Sequence, residues 1–552
     1  MGIVGLALMQ AVAACGRRGH DKSPKRPGMR PDGGVVATVP HPSPTQSPPM
    51  TALPEVAPPL DKAAHRGGTL KVHLEAEPPH LNPLQDTLQV IDRVTSGLVY
   101  ETLIECRGDR YLPGLADSWE LSADGLRVTL HLRAGTRWQD DKGLSALDVQ
   151  ATLEHLMRSP ARSALLHAMI VDLEGVDVLP DRAVRLRLLR PSGLTLRALC
   201  EIPILPAEPL RTGGARFQQL GRVPLGTGPF RVAGWERGRR IKLVRSRPLD
   251  APDSPRLDEI VFEIDADPAR ALTRLRRGDF DILPRVAEVH YPEQVSQATL
   301  RDVLDLHVLS PHRYSFVALN TRRGVLADRD FRHALSLLWD RVRFAAELHH
   351  GLVRPIGAPT FGPALPDTFD REQAGRLFEQ AGFKDTDGDG VRDVGRAPIR
   401  LTFLVPAGSR TLGAEVRAFA MDLRRAGILL DTTSLDATSL FARVEHGDYD
   451  MAALTWEGRG DEDPRLLLTG TGEFEYTGYR SERFSSLIDL IRAAPSAAAR
   501  APLLAQLAEL LASDRPALFL YRHDVPILVG KRVHGLAAVG DHLDLRAVWV
   551  EP

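Results

Sequence analysis

Between Asp267 and Leu435 the spacing of apolar residues switches repeatedly between helical and strand periods, and this alternation limits the fold more than any other feature of the chain. Asp267 and Pro268 have the form of an N-cap and a first helical residue. Ala271, Leu272 and Leu275 then share one helical face, Gly278 ends the run, and FDIL continues as a strand. The same order recurs from Asp330 to Gly351, with Phe331, Ala334, Leu335, Leu338 and Val342 as an apolar stripe, and again from Leu412 to Gly427 ahead of the strand ILL. Helices that cross between strands predict α/β layers with both sheet faces covered. The first half reads as strands bounded by turns, at Leu70, Val72 and Leu74, at LRVTLHLRAG and at AVRLRLLRP. At 552 residues the chain exceeds one ordinary core, so at least two folding units are expected.

The amino-terminal part cannot contribute to that core. From Ser23 to Leu60 there are eleven prolines and almost no aromatic residues, which predicts an extended tether over 15–66. Before it, MGIVGLALMQAVAAC is too short to span a bilayer and has the form of a secretory signal over residues 1–14, although no Lys or Arg precedes its apolar run. Val12, Ala13, Ala14 and Cys15 resemble the lipobox of bacterial lipoproteins, which implies cleavage before Cys15 and lipidation of its thiol. The expected location is therefore the periplasm or cell surface, held at a membrane. Cys106 and Cys200 lack metal or redox spacing; they read as two buried thiols, with a bridge open to them in an oxidising compartment. Lys and Arg total 70 against 71 Asp and Glu, so charge gives no reason to expect nucleic acid as a partner.

Several blocks together resemble the family 5 extracellular solute-binding proteins of ABC transporters, which take dipeptides, oligopeptides or nickel. In chain order they are YLPGLADSWELSADGLRVTLHLRAGTRWQDDKGLSALDV, LGTGPFRVAGWERGRRIKL, LDEIVFEIDADPARALTRLRRGDFDI, FVALNTRRGVLADRDFRHALSLLWDR, and YTGYRSERFSSLIDL with ELLASDRPALFLY. The resemblance implies a mixed α/β fold of the type II periplasmic-binding-protein kind, with three lobes, a hinge and a ligand cleft between lobes. Lobe I would comprise 67–102, 226–318 and 513–552, lobe II 103–225, and lobe III 319–512. It also implies a monomeric binder that delivers a peptide or similar solute to permease subunits and breaks no bond. A lipoprotein that uses the same cleft to signal to a membrane receptor is the alternative.

The resemblance places ligand contacts at two loops. In YDMAALTWEGRGDEDP the residues alternate as a buried strand up to Trp456, whose ring offers a stacking face, with Glu457, Arg459 and Asp461 following. Trp456 packed as core, with those charges in a solvated loop, is the structural alternative. Peptide-binding relatives carry an aspartate three residues after the tryptophan to pair with the ligand's amino group, where this chain has Arg459 and one extra residue before Pro464. Arg459 in the cleft favours a carboxylate, phosphate or sulfate; a bulged loop returns the amino-binding role to Asp461. Gln85, Asp86 and Thr87 occupy the matching loop of lobe I. Peptide, opine, nickel complex and sugar all remain open as cargo, and His349 with His350 reads as a helix-end feature rather than a nickel site.

DTDGDGVRD offers Asp385, Asp387, Asp389 and Asp393 at calcium-loop spacing, with Gly390 at the sharp turn. Arg396 stands where the bidentate Glu belongs and a strand follows instead of a helix, so a solvated turn is expected and calcium is a weak candidate. No other cofactor is expected. The chain has no G-x-S-x-G elbow, H-E-x-x-H, P-loop or Cys-x-x-Cys, and nothing in it points to an enzyme.

Overall fold

A computed structural model describes residues 50–55, 65–86, 88–107, 110–158, 164–248, 254–359, 367–457, 476–494, 497–539 and 542–552. The chain enters with β1 (Thr51–Ala52) and β2 (Thr69–Leu74) in a first body. It then leaves for a second body through the hairpin β3 (Ile104–Arg107) and β4 (Arg110–Pro113). After returning it runs from β5 (Leu304–Leu309) straight into β6 (Arg313–Leu319) of a third body, which also holds β7 (Val353–Pro355) and β8 (Met451–Glu457). Finally β9 (Ala517–His523) leads directly back into β10 (Val525–Gly530) of the first body.

Each body is organised by one sheet. The first has eight strands in the order β1, β5, β10, Ile282–Leu283, β2, Glu259–Ile264, Arg240–Arg245 and Phe230–Glu236. The second has a four-stranded antiparallel sheet, with Ala146–Arg158 as its longest helix. The third has six strands in the order β7, β9, β6, β8, Arg400–Pro406 and Leu429–Leu435. The first two bodies share one apolar core, in which Leu70 and Ile260 belong to the same cluster as Leu130 and Val149. The third has two clusters of its own, centred on Phe316 and Trp456 in one and on Phe331 and Phe403 in the other.

Capping follows the sequence closely. The Asp267 carboxylate accepts from the amides of Ala269 and Arg270 ahead of Pro268–Arg276, and Ser409 Oγ accepts from Leu412 N ahead of Arg410–Arg425. The helix expected from Asp330 to Gly351 is instead two, Arg329–Leu337 and Arg341–Glu347, because Asp340 caps a second start by accepting from Arg343 N. The restart turns Val342 out of the expected stripe, and it is 67% exposed.

Three further expectations are corrected. Cys106 of β3 and Cys200 of the helix Leu194–Glu201 form a disulfide with a Cα separation of 5.7 Å, rather than two free thiols. Folding brings hairpin and helix together from 94 residues apart, a distance that sequence spacing hides. Within the span expected as a tether, Met50–Glu55 packs on the body. β1 pairs in parallel with β5, Leu53 lies against the shared core, and Pro54 O accepts from Ala538 N at 2.9 Å. The lobe changes expected after Ala318 and before Ser513 move to 310–312 and Asp524, because β6 and β9 belong to the six-stranded sheet. An apolar strand that passes from one sheet into the next carries no compositional break at the crossing.

Candidate functional site

The two crossings lie side by side and are tied together by polar contacts. Ser310 Oγ donates to Asp524 Oδ1 at 2.7 Å, and Arg354 Nη2 donates to the same oxygen at 2.6 Å. Arg522 Nη2 donates to Ser310 O at 3.2 Å. Two adjacent strand crossings are the form of an interdomain hinge.

A cavity of about 550 Å³ opens against this hinge. Its walls come from all sides of the junction: Glu101 of the first body, the Cys106–Cys200 bridge of the second, Ser310, His312 and Arg522 at the hinge, and Leu53 of the amino-terminal strap. The volume lies in the range of small-ligand pockets. One wall is a dense ionic network, where Arg107 Nη2 and Arg546 Nε each reach Asp544 at 2.9 Å and Arg546 Nη2 donates to Glu105 Oε2 at 3.2 Å. Burial alone would raise the Asp544 pKa; Arg546 and Arg107 outweigh it and hold the carboxyl at about 2. At the hinge, burial and the nearby Arg354 cation push the Arg522 pKa down, against a smaller opposing pull from Asp524.

Trp456 is 3% exposed, near the end of β8 and within the third body's core cluster. Its register is informative. Trp456 stands opposite Tyr314, Tyr314 opposite Arg522, and Arg522 opposite Arg354, so four adjacent strands place two aromatics and two guanidinium groups in a row on one sheet face. Glu457 ends β8 in register with Arg313. Arg459 and Asp461 lie outside the described residues, as do Thr87 and Cys15. Gln85 and Asp86 lie half-buried in the turn after β2, and Gln85 Oε1 is buried without a hydrogen-bond partner among the described residues. Neither residue lines the hinge cavity. Ser310, His312, Arg522 and Asp524 carry no signal in the sequence; Ser310 and Arg522 are 212 residues apart, and no local pattern connects them.

In the acidic loop, Asp385, Asp387 and Asp393 each bring a carboxylate oxygen within 4.8 Å of the others. Asp389, expected as a fourth ligand, stands outside this group, and its Oδ1 accepts from Val391 N at 2.7 Å. Asp385 accepts from Gly388 N and Gly390 N at 2.7 and 2.9 Å, which holds its carboxyl below the usual range. Both glycines have φ near +80°, at 81° and 82°, so a tight turn accounts for their presence. Asp393 accepts from Thr386 N at 2.8 Å. These carboxylates satisfy the loop's own amides.

Known proteins resemble the chain in four respects. A family described as bacterial extracellular solute-binding proteins, family 5 middle, matches residues 110–477. The dipeptide-binding protein of Escherichia coli K12 is 24% identical over 516 residues, covering 86% of this chain and 92% of that protein. Among solved structures, the oligopeptide-binding protein AppA of Bacillus subtilis in complex with a nonapeptide superposes with a TM-score of 0.72 at 20% identity, over 89% of this chain and all of AppA. NikA of Brucella suis in complex with Fe(III)-EDTA superposes at 0.75 and 19% identity, over 88% of this chain and 100% of its own.

Proposed function

The chain belongs to the family 5 bacterial extracellular solute-binding proteins, and on that premise we propose that it captures a peptide or similar small solute by closure of its third body on the first and passes it to the permease of an ABC importer. It is a binding protein and not an enzyme. The observation that carries the reading is the paired crossing at 310–312 and Asp524 set against a ligand-sized cavity, with Arg522 of the third body's sheet in its wall. A ligand that bridges two bodies joined by two strands shifts the population toward the closed state, and a membrane partner can read that state.

In this reading Trp456, packed in the core, supports the residues that follow it, and Glu457, Arg459 and Asp461 approach the solute from the third body, with Gln85, Asp86 and Thr87 approaching from the first. The lobes take the spans set by the hinge crossings. Cys15 carries a lipid that holds the protein at a membrane, with the proline-rich stretch up to the strap as spacer. The test is calorimetry and small-angle scattering of the protein with pools of di- to nonapeptides. Binding at micromolar affinity or tighter, with a fall in radius of gyration, is expected; no heat and no compaction with any pool would remove the peptide reading. Mass spectrometry of the membrane-extracted protein tests the anchor, and an unmodified amino terminus upstream of Cys15 would refute it.

A further inference from the structure

Most of the charged side chains that line the hinge cavity have an ionic partner within the protein. Arg107 and Arg546 share Asp544 and Glu105, Arg197 meets Glu201 at 2.9 Å, and Arg133 meets Asp117 at 3.3 Å. Glu101 is met by Arg247 at 2.9 Å. Among the described residues Glu55 has no such partner, but it is exposed on the strap and stays hydrated. Arg522 differs. It is half-buried in the cavity wall and, among the described residues, has no carboxylate within ion-pairing distance. Among the described residues its single hydrogen bond goes to the Ser310 carbonyl, and its Nε is buried without an acceptor. Asp524, an acid nearby, is engaged by Arg354.

An uncompensated guanidinium out of bulk water costs free energy that a bound anion returns, and a guanidinium edge matches a carboxylate with two parallel N–H donors. Resting on the solute-binding reading, we propose that Arg522 is the anchor for a carboxylate of the captured solute, received at the hinge end of the cavity. Tyr314 and Trp456, next along the row, are 2% and 3% exposed within the third body's apolar core and do not line the cavity, so the assignment rests on Arg522. The favoured solute is a short peptide or peptide-like acid whose carboxylate meets Arg522. A carboxylate placed there also neutralises charge at the hinge, where Arg354 and Arg522 face one acid, Asp524.

The experiment uses the full chain and two mixed-sequence tripeptide pools that differ only in a free or an amidated carboxyl terminus, with thermal midpoint and calorimetric affinity as readouts. The free-acid pool should bind about tenfold or more tighter than the amide pool, and Arg522→Gln should erase the difference while Arg522→Lys keeps part of it. Arg522→Gln without ligand should melt no lower than the parent, because the charge removed has no partner to orphan; a clear fall in its own midpoint would mark Arg522 as structural and count against the proposal. If Arg522→Gln does not fold, a loss of about tenfold in free-acid affinity with Arg522→Lys, and none for the amide pool, takes its place. Equal binding of both pools, or discrimination that survives Arg522→Gln, overturns the carboxylate anchor and leaves solute binding standing. Binding of neither pool overturns the peptide reading and this assignment with it, and a midpoint raised by inorganic phosphate alone replaces carboxylate with phosphate as the ligand class and overturns the proposal as stated.

Discussion

The junction between the first and second bodies and the junction of both with the third are built from different forces. The first is a seam: one continuous apolar core, the Cys106–Cys200 bridge, and the ionic network of Arg107, Asp544, Arg546 and Glu105. At the second, among the described residues, only Leu352 of the third body enters an apolar cluster with residues of the first. Two strand crossings and polar contacts do the rest. Asp172 of the second body meets Arg492 of the helix Glu482–Ala493 at 2.5 Å, both about 5% exposed at 6% and 5%, and Gly193 N donates to Arg492 O at 2.6 Å. Burying apolar surface resists separation in every geometry, whereas a charge pair can exchange its partner for water when two bodies part. The seam is held by an apolar core, a covalent bridge and charge; the second junction is held mainly by polar contacts.

The largest effect should come from breaking the seam covalently. A disulfide that closes a 94-residue loop is worth about 4 kcal/mol, so Cys106→Ser with Cys200→Ser should lower the thermal midpoint by roughly 5–8 °C. Differential calorimetry of the oxidised and doubly substituted proteins measures this. A midpoint unchanged within a degree would mean that the network and core alone fix the seam. Next in size is Asp172→Ala, which leaves Arg492 and Arg190 short of a shared carboxylate and costs about 3 kcal/mol at the junction. If that contact is a latch of the closed form, scattering should show a larger radius of gyration while the midpoint of the seam holds. A uniform loss of stability with no expansion would make it an ordinary structural pair.

These two junctions also mark where the sequence could be read and where it could not. Elements announced by local chemistry were legible: the caps at Asp267 and Ser409 and the alternation that built the third body's sheet. Val342 was misplaced because Asp340 works as a cap only once Leu338 has left the helix, which depends on tertiary packing. The disulfide and the hinge were invisible, because each is made by segments brought together from 94 and 212 residues apart. Of the candidate site, Trp456 was found as a strand-end aromatic, but its row with Tyr314, Arg522 and Arg354 exists only in the register of four strands.

Acid should separate the junctions along the pH axis. Asp544 in the seam has a folded pKa of about 2 against an ordinary value of 3.8. A depressed carboxyl contributes stability that is present above the unfolded value and lost as pH falls toward the folded one, here between about 4 and 2, and worth about 2 kcal/mol. His523, in the hinge strand β9, is held well below 6.5 by burial and then by the basic groups Arg313, His349 and Arg285. Its protonation is disfavoured in the fold, so it costs stability as soon as pH drops below 6.5. Amide exchange at pH 7, 5 and 3.5 should show β9 losing protection first and the 104–107 strand last. Asp544→Asn should flatten the drop below pH 4 and leave the hinge's response near pH 6 unchanged. Simultaneous loss of protection at both places would erase the distinction between them.

The smallest expected effect concerns the strap, which adds to the seam from outside. Leu53 is half-buried against the shared core, and burying part of a leucine is worth about 1 kcal/mol. The two-residue β1 adds a short parallel pairing, and Arg107 Nη1 donates to Glu55 O at 3.2 Å. Leu53→Asp should therefore release residues 50–55 at a cost of a degree or two in midpoint, seen as faster proteolysis ahead of residue 56. Because Leu53 and Glu55 also line the cavity, release should change the rate of ligand entry more than the stability of the bound state. Entry rates and midpoint both unchanged would reduce the strap to the end of a spacer that merely rests on the sheet edge.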